Sequence, residues 1–309
     1  MTDTETPLRL GIDLGGTKIA GIAFDRSDRI LAETRRDSPR NDYDATIAAI
    51  VDTIGELESL AGARGSIGIG MPGSVSPVTG YVQNSNSVWL NGKPFAEDTQ
   101  AALGRPARFC NDANCFVLSE ATDGAAAGAR SVFGVIMGTG CGGGIVVNGQ
   151  IVDGPNGTGG EWGHVPLPWA QPDEHPGPMC WCGRPGCLEP WISGTGLERD
   201  HEAATGEVLS ARDIAARAAD DPGCQATLDR HQSRLARALA MIVNMIDPEV
   251  IVLGGGLSQL SHLYTGLPDA MMPFIFADAP VRADIRPPRF GDASGVRGAA
   301  RLWSIGEHP

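Results

Sequence analysis

The sequence predicts an α/β protein of one large or two moderate domains. Three observations carry this. The chain has 309 residues, against a common domain size of about 100–150. Short apolar strand-like runs alternate with segments whose apolar residues recur at helical spacing. Glycine clusters sit at the ends of those strands, where α/β proteins tend to place ligands.

Taken in order, Leu8 to Leu14, Ile19 to Phe24 and Ile30 to Arg35 read as strands. Between the first two lies Asp13-Leu14-Gly15-Gly16-Thr17-Lys18. Paired glycines there fit a plain hairpin turn, and equally a turn whose bare backbone N–H groups approach a phosphate. The Lys-Ser/Thr ending and following helix of a Walker loop are missing. Asp13 at the strand end would need a cation beside any phosphate, which makes it a candidate partner for hydrated magnesium. Tyr43 to Leu60 follows as a helix carrying Ile47, Ile50, Val51, Ile54 and Leu57. Ser66 to Gly70 is a strand running into Met71-Pro72-Gly73-Ser74. Gln83 to Gly92 then gathers amide and hydroxyl side chains around Trp89. It reads either as an Asn/Ser-rich turn or as a sugar contact, with hydrogen bonds around one apolar face.

Arg108 to Cys110 is a strand end, and Ala113 to Asp123 is helix-like. Asn111 or Asp112 therefore serves as helix N-cap. A carboxylate in that position also suits accepting a proton from an alcohol. Val132 to Met137 and Ile145 to Val147 flank a second glycine-rich hairpin, Gly138-Thr139-Gly140-Cys141-Gly142-Gly143-Gly144. Two such units suggest two related halves. Beyond Ser193-Gly194-Thr195-Gly196, helices are expected at Asp213 to Ala219 and Cys224 to Ile246, the latter ended by Asp247-Pro248. The strand Glu249 to Leu253 meets Gly254-Gly255-Gly256 and a further helix toward Met272, so that a helix N-terminus can face a nucleotide. A small helix, Val296 to Trp303, closes the chain.

The bulk properties exclude several functions. A formal net charge of −13 argues against general affinity for nucleic acid or anionic membrane. The polar start Met1 to Pro7 is no signal peptide, and no stretch is long and apolar enough to span a membrane. An odd count of 7 cysteines with no secretion signal fits a reducing cytoplasm. Cys110, Cys115, Cys141 and Cys224 are expected as buried small hydrophobes.

The densest chemistry lies in Glu161-Trp162-Gly163-His164 and Cys180-Trp181-Cys182-Gly183-Arg184-Pro185-Gly186-Cys187-Leu188-Glu189. His164, Cys180, Cys182 and Cys187 supply one imidazole and three thiolates, a complete tetrahedron for zinc with no open position. The expected ion is structural, fixing a loop whose flanking carboxylates, Glu161 and Glu189, face something polar.

In this order the Asp13–Lys18 hairpin, Asn111-Asp112, Gly138–Gly144, the Glu161–His164 stretch, Cys180–Glu189 and Gly254–Gly256 resemble the ROK family of bacterial sugar kinases and repressors. The resemblance covers nearly the whole chain. It is nearest to the fructokinase and manno(fructo)kinase branch through Asn84–Gly92, Asp123–Gly128 and His164–Trp169. It implies an actin/hexokinase-like (ribonuclease H-like) fold of two α/β domains hinged around a cleft. Residues 1–112, joined by a C-terminal helix over 295–309, would form one domain, and 113–294, with the zinc loop, the other. It further implies transfer of the ATP γ-phosphate to a hexose primary hydroxyl, with D-fructose the expected substrate and mannose a second. N-acetylglucosamine kinase or glucokinase is the alternative within the family, and a sugar-sensing repressor-like protein the non-enzyme alternative. A homodimer is implied as well.

By motif match, Asp112 would be the general base. Asn86, Asn111, Asp112, Glu161, His164 and Glu189 would bind the sugar, His164 ligating zinc through its other ring nitrogen. Gly15, Gly16, Thr17, Gly138, Thr139 and Gly140 would hold phosphates, Gly255 and Gly256 would lie near the nucleoside, and Lys18 matches the motif. The implied cofactors are ATP, magnesium and a structural zinc. Phosphoryl transfer is mostly positioning and charge stabilisation, which amide-rich loops and magnesium can supply.

Overall fold

In the computed structural model, residues 8–281, 283–304 and 307 are described. The polar start Met1–Pro7 and residues 305, 306, 308 and 309 of the expected C-terminal helix lie outside them. The chain gathers into two units: Met1–Glu120 with Ile151–Gly159 and Asp292–Pro309, and Ala121–Gln150 with Gly160–Gly291. Each is an α/β body around its own sheet.

In the first unit, apolar runs form β1 (Leu8–Leu14), β2 (Lys18–Phe24) and β3 (Ile30–Asp37), an antiparallel meander. Helix α1 (Tyr43–Ala61) follows, capped by Asp42, which accepts from the Ala45 N–H at 2.9 Å, and ended by Gly62 at φ 74°. Its buried stripe of Ile47, Ile50, Ile54 and Leu57 packs on β2 and β3, each side chain worth about 1.5–3 kcal/mol of burial. Then come β4 (Gly65–Met71), the short pair β5 (Ser74–Val75) and β6 (Val82–Gln83), α2 (Phe95–Leu103), β7 (Arg108–Asn111) and α3 (Asp112–Thr122). The sheet order is β3-β2-β1-β4-β7, with β4 parallel to β1 and β7. Helix α2 is absent from the sequence expectation. Only Phe95 and Thr99 of it are buried, too few to leave a periodic stripe.

The second unit opens with β8 (Ser131–Met137), β9 (Cys141–Val147) and β10 (Gln150–Ile151). Strand β9 begins at Cys141, so Gly142 to Gly144 belong to the strand and not to the turn, as expected from the glycine run. The reason is packing: a Cβ on Gly143 would lie 2.7 Å from the Trp162 ring. Helices α4 (Glu189–Ile192), α5 (Gly194–Thr205), α6 (Ala211–Arg217) and α7 (Pro222–Ile246) precede β11 (Val250–Gly254), α8 (Ser261–Met271) and β12 (Ile285–Arg286). The order β10-β9-β8-β11-β12 repeats that of the first sheet. Asp221 caps α7 before Pro222, and Asp247 at φ 45° ends it.

The last helix, α9 (Ser294–Ala300), returns to the first sheet. It is shorter than expected from the sequence and lies directly on the backbone of β1 and β4. A Cβ at Gly11 would stand 2.1 Å from the Val296 carbonyl oxygen, and one at Gly68 1.9 Å from that of Ala299. Any side chain there would lift α9 off.

Among the described residues no helix is long and apolar enough to cross a membrane.

Candidate active site and metal loop

Asp112 is the first residue of α3, at the end of β7. The cap is Asn111: its Oδ1 accepts from the N–H groups of Ala113 at 2.9 Å and Asn114 at 3.3 Å, while its Nδ2 donates to the Gly73 carbonyl at 3.1 Å. The Gly73 turn has closed on the Asn84–Ser87 turn, because a Cβ at Gly73 would meet the Gln83 oxygen at 2.4 Å. Asn86 is exposed on that turn. Trp89 does not offer its face to a ligand. It is half-buried against the core of this unit and donates its Nε1 to Thr46 at 3.2 Å.

The Asp112 carboxyl accepts from the Ala113 N–H at 2.8 Å, yet burial holds it above the usual carboxylate range against that bond. Asp13, next to last in β1, is pushed up to about 7, first by burial and then by repulsion from Asp112, with Asp292 adding and Arg35 opposing. The N-terminus of α9 abuts it: a Cβ on Gly295 would stand 3.0 Å from Asp13 Oδ2. Two carboxyls, both raised by burial and one further raised by the other, make a natural seat for a divalent cation. Beside them the Gly15-Gly16-Thr17 turn is closed by Gly15 N–H to Lys18 O at 2.9 Å and braced by Arg40 Nε to Gly16 O at 3.1 Å. Lys18 pairs at 2.5 Å with exposed Asp37, so its charge is directed at β3.

In the second unit His164, Cys180, Cys182 and Cys187 present ligand atoms all within 4.8 Å of one another. Cys180 Sγ lies 3.5 Å from His164 Nδ1, and Cys182 Sγ lies 3.6 Å from Cys187 Sγ. A tetrahedral zinc site has edges of about 3.5 Å between N and S and about 3.8 Å between sulfurs, from its bond lengths. Burial and the neighbouring thiols push Cys187 up to about 12. Cys182 moves down: burial opposes this, but the Arg184 N–H and the adjacent thiols donate to it. Three thiolates in this space therefore call for a cation, and the donor set fits zinc. Because Nδ1 faces the sulfurs, His164 Nε2 is the nitrogen left for a substrate.

The loop is anchored below. Glu174 closes a capping box with Gln171 and bonds the buried Arg234 (3.0 Å) and Arg237 (2.7 Å) of α7. Burial opposes ionisation of Glu174, but Arg237, the Gln171 N–H and Arg234 hold it down at about 2. Above, Glu189 accepts from Trp181 Nε1 at 2.7 Å and from the Cys141 N–H at 3.0 Å. Glu161 is partly buried just ahead of Trp162, whose ring packs edge-on against Phe133.

The remaining glycines group at one end of two adjacent parallel strands. Gly138, Thr139 and Gly140 follow β8, and Gly255 and Gly256 follow β11. Gly255, at φ 77°, passes so close to β8 that a Cβ would meet the Met137 oxygen at 2.4 Å. Ser193 to Thr195 brace the first turn, through Gly194 N–H to Gly138 O at 2.7 Å and Thr195 Oγ1 to Thr139 O at 2.8 Å. Carboxyl ends of parallel strands beside helix starts suit phosphate and nucleoside binding.

The sequence profile of the ROK family matches residues 9–305. The chain belongs to the ROK family. Its fold is accordingly actin/hexokinase-like, and a ROK hexokinase from Thermus thermophilus superposes with a TM-score of 0.83 at 33% identity, covering 95% of this chain and 96% of that one. A ROK family glucokinase from Streptomyces griseus, solved with glucose and AMPPNP, gives 0.78 at 26% identity over 96% and 98%. Among curated relatives, the N-acetyl-D-glucosamine kinase of Pectobacterium atrosepticum is 41% identical over 94% of this chain and 97% of its own length.

That likeness corrects the expectation of fructose. Within two of the segments that pointed to fructokinases, Trp89 donates to Thr46, and Trp169 sits against Phe274 with its carbonyl held by Arg237 at 2.8 Å. Three partners went unnoticed in the sequence: Trp181 and the Cys141 N–H on Glu189, and Asp292 beside Asp13. Only Trp181 had a signal, its place between two ligands.

Proposed function

We propose that this protein is an ATP-dependent N-acetyl-D-glucosamine kinase, phosphorylating the sugar's primary hydroxyl. The observation that carries this is the full-length likeness, at 41% identity, to the kinase of that name from Pectobacterium atrosepticum. The chemistry of the residues supports it. Asp112 accepts the hydroxyl proton as the oxygen attacks, and its buried setting makes it more basic than a surface carboxylate. Asn86, Asn111, Glu161, His164 Nε2 and Glu189 hold the sugar. The amides of Gly15 to Thr17 and Gly138 to Gly140 hold phosphate oxygens, and Gly255 and Gly256 leave room for the nucleoside. Magnesium, when bound with ATP, supplies positive charge to the phosphates, and Asp13 is the carboxylate placed to hold it or its waters. Zinc on His164, Cys180, Cys182 and Cys187 supplies rigidity alone, since four protein donors close the tetrahedron.

A coupled assay with ATP and a panel of N-acetylglucosamine, glucose, mannose and fructose tests the substrate. The highest kcat/KM is expected for N-acetylglucosamine. Glucose or mannose exceeding it about tenfold would reassign the protein within the family. The metal has its own test. Metal analysis is expected to find about one zinc per chain. Cys182→Ser should lose most of it and weaken sugar affinity at least ~10-fold, as read by titration calorimetry. Full sugar affinity in metal-free protein would remove zinc from the account.

A further inference from the structure

Trp181 stands between two metal ligands, Cys180 and Cys182, and is 55% exposed, whereas Trp162 at the same end of the unit is buried in the core. A large indole left in solvent is not there as filling. Its two contacts are specific. The ring meets His164 edge-on at 5.1 Å between centroids, and Nε1 donates to Glu189 Oε1 at 2.7 Å. The other oxygen, Oε2, accepts from the Cys141 N–H at 3.0 Å. Glu189 is thus gripped at both oxygens by donors from two separate segments, each oxygen keeping a lone pair for a hydroxyl.

The two donors depend on different things. The Cys141 N–H is fixed where β9 starts opposite Met137, whether or not a metal is present. The Trp181 N–H is in place only while the turn from Cys180 to Cys187 is folded. Among the described residues, Cys180 N–H to Arg184 O (2.9 Å) and Gly183 N–H to Cys180 O (3.0 Å) close the turn, Gly186 N–H to Pro178 O (2.9 Å) and Leu167 N–H to Gly186 O (2.9 Å) tie down its far end, and the clustered ligands hold the Trp181 end. A glutamate held at one oxygen alone keeps rotamer freedom, which a binding sugar then has to remove.

We infer that Trp181 is the positioning residue through which folding of the metal loop orients Glu189 toward the sugar. This rests on Glu189 being a sugar ligand. In this role the indole acts on the sugar only through Glu189, so its loss weakens ground-state and transition-state sugar binding alike. The signature is a raised KM with kcat kept.

The test compares zinc-loaded Trp181→Phe, Trp181→Ala and Glu189→Ala with the wild type. Trp181→Phe keeps an aromatic ring beside His164 and removes the N–H donor along with part of the indole. A lost hydrogen bond to a charged group predicts a KM for N-acetylglucosamine raised about 10- to 100-fold. The kcat should stay within about threefold and the zinc content should be unchanged. Tryptophan fluorescence gives a readout independent of turnover: the wild type should change on titration with N-acetylglucosamine, and Trp181→Phe should lose most of that change. Wild-type KM in both Trp181 variants, with Glu189→Ala impaired, overturns the inference and leaves Glu189 as a ligand. Wild-type KM in Glu189→Ala overturns both. Loss of zinc from Trp181→Phe in step with the rise in KM also overturns it, because the indole would then be holding the loop and not the carboxylate.

Discussion

Asp112→Asn is expected to lose at least a hundredfold in kcat, and up to ~10⁴-fold, the range that general-base catalysis commands. The fold should survive. The asparagine oxygen can take over acceptance from the Ala113 N–H, and Asn111 still caps α3. Asp112→Ala should be as inactive and no less stable, because a carboxyl whose burial disfavours its charge is removed. Steady-state kinetics with ATP and N-acetylglucosamine, beside a thermal melt, separate the two effects. Near-normal turnover in Asp112→Ala would remove this residue from the chemistry.

Asp13→Asn should abolish activity and at the same time stabilise the metal-free protein at alkaline pH. The folded pKa of Asp13 is pushed up to about 7, from an ordinary 3.8. A carboxyl that binds its proton more tightly when folded contributes stability in full below its unfolded pKa, and that contribution is lost as pH rises through 7. In chelator-treated wild-type protein, stability should therefore fall between about pH 4 and pH 7. The asparagine variant lacks this charge and should melt roughly 5 °C higher at pH 8, with little difference at about pH 4. Magnesium should narrow the gap by screening the carboxylate. An Asn variant melting below the wild type at pH 8 would mean that Asp13 is not held against repulsion from Asp112 and Asp292. Function and stability would thus pull against each other at one side chain, as is common where charge is concentrated for catalysis.

Much of this was legible before any coordinates. The strand Val132–Met137 announces itself because both faces are buried and the run is continuously apolar, and Leu8–Leu14 because Leu8, Leu10, Ile12 and Leu14 recur at every second position. The cluster of His164, Cys180, Cys182 and Cys187 was legible because Cys and His within a short span have few other uses, and the structure brings the four donors within 4.8 Å of one another. Which of Asn111 and Asp112 caps α3 could not be told from the sequence. That depends on which oxygen reaches the Ala113 and Asn114 amides. For a related reason the direction of Trp89 in the Asn84–Gly92 turn could not be read: composition shows an aromatic among amides but not where it points, and its Nε1 donates to Thr46. Helix α2 left too little apolar pattern to read, and Gly142 to Gly144 counted as loop until Trp162 was seen lying on them. The choice of sugar was least legible. The groups that would distinguish epimers come from turns whose geometry arises only when Gly73 meets Ser85 and when Trp181 meets Glu189.

The placement of α9 on Gly11 and Gly68 has a consequence for how the molecule is made. The strands of the first sheet leave the ribosome early, but the helix that covers them comes from residues 294–300, after the whole of the second unit has been synthesised. Until then one face of β1 and β4 is bare, and Asp13 lacks the helix start that closes over it. A nascent chain can therefore display Asp112 and still be a long way from a working enzyme. The sheet that is begun first is finished last, and Ile22 and Phe24 of β2, which pack against Val296 and Ala300 of α9, are the apolar surface a chaperone would have most reason to shield.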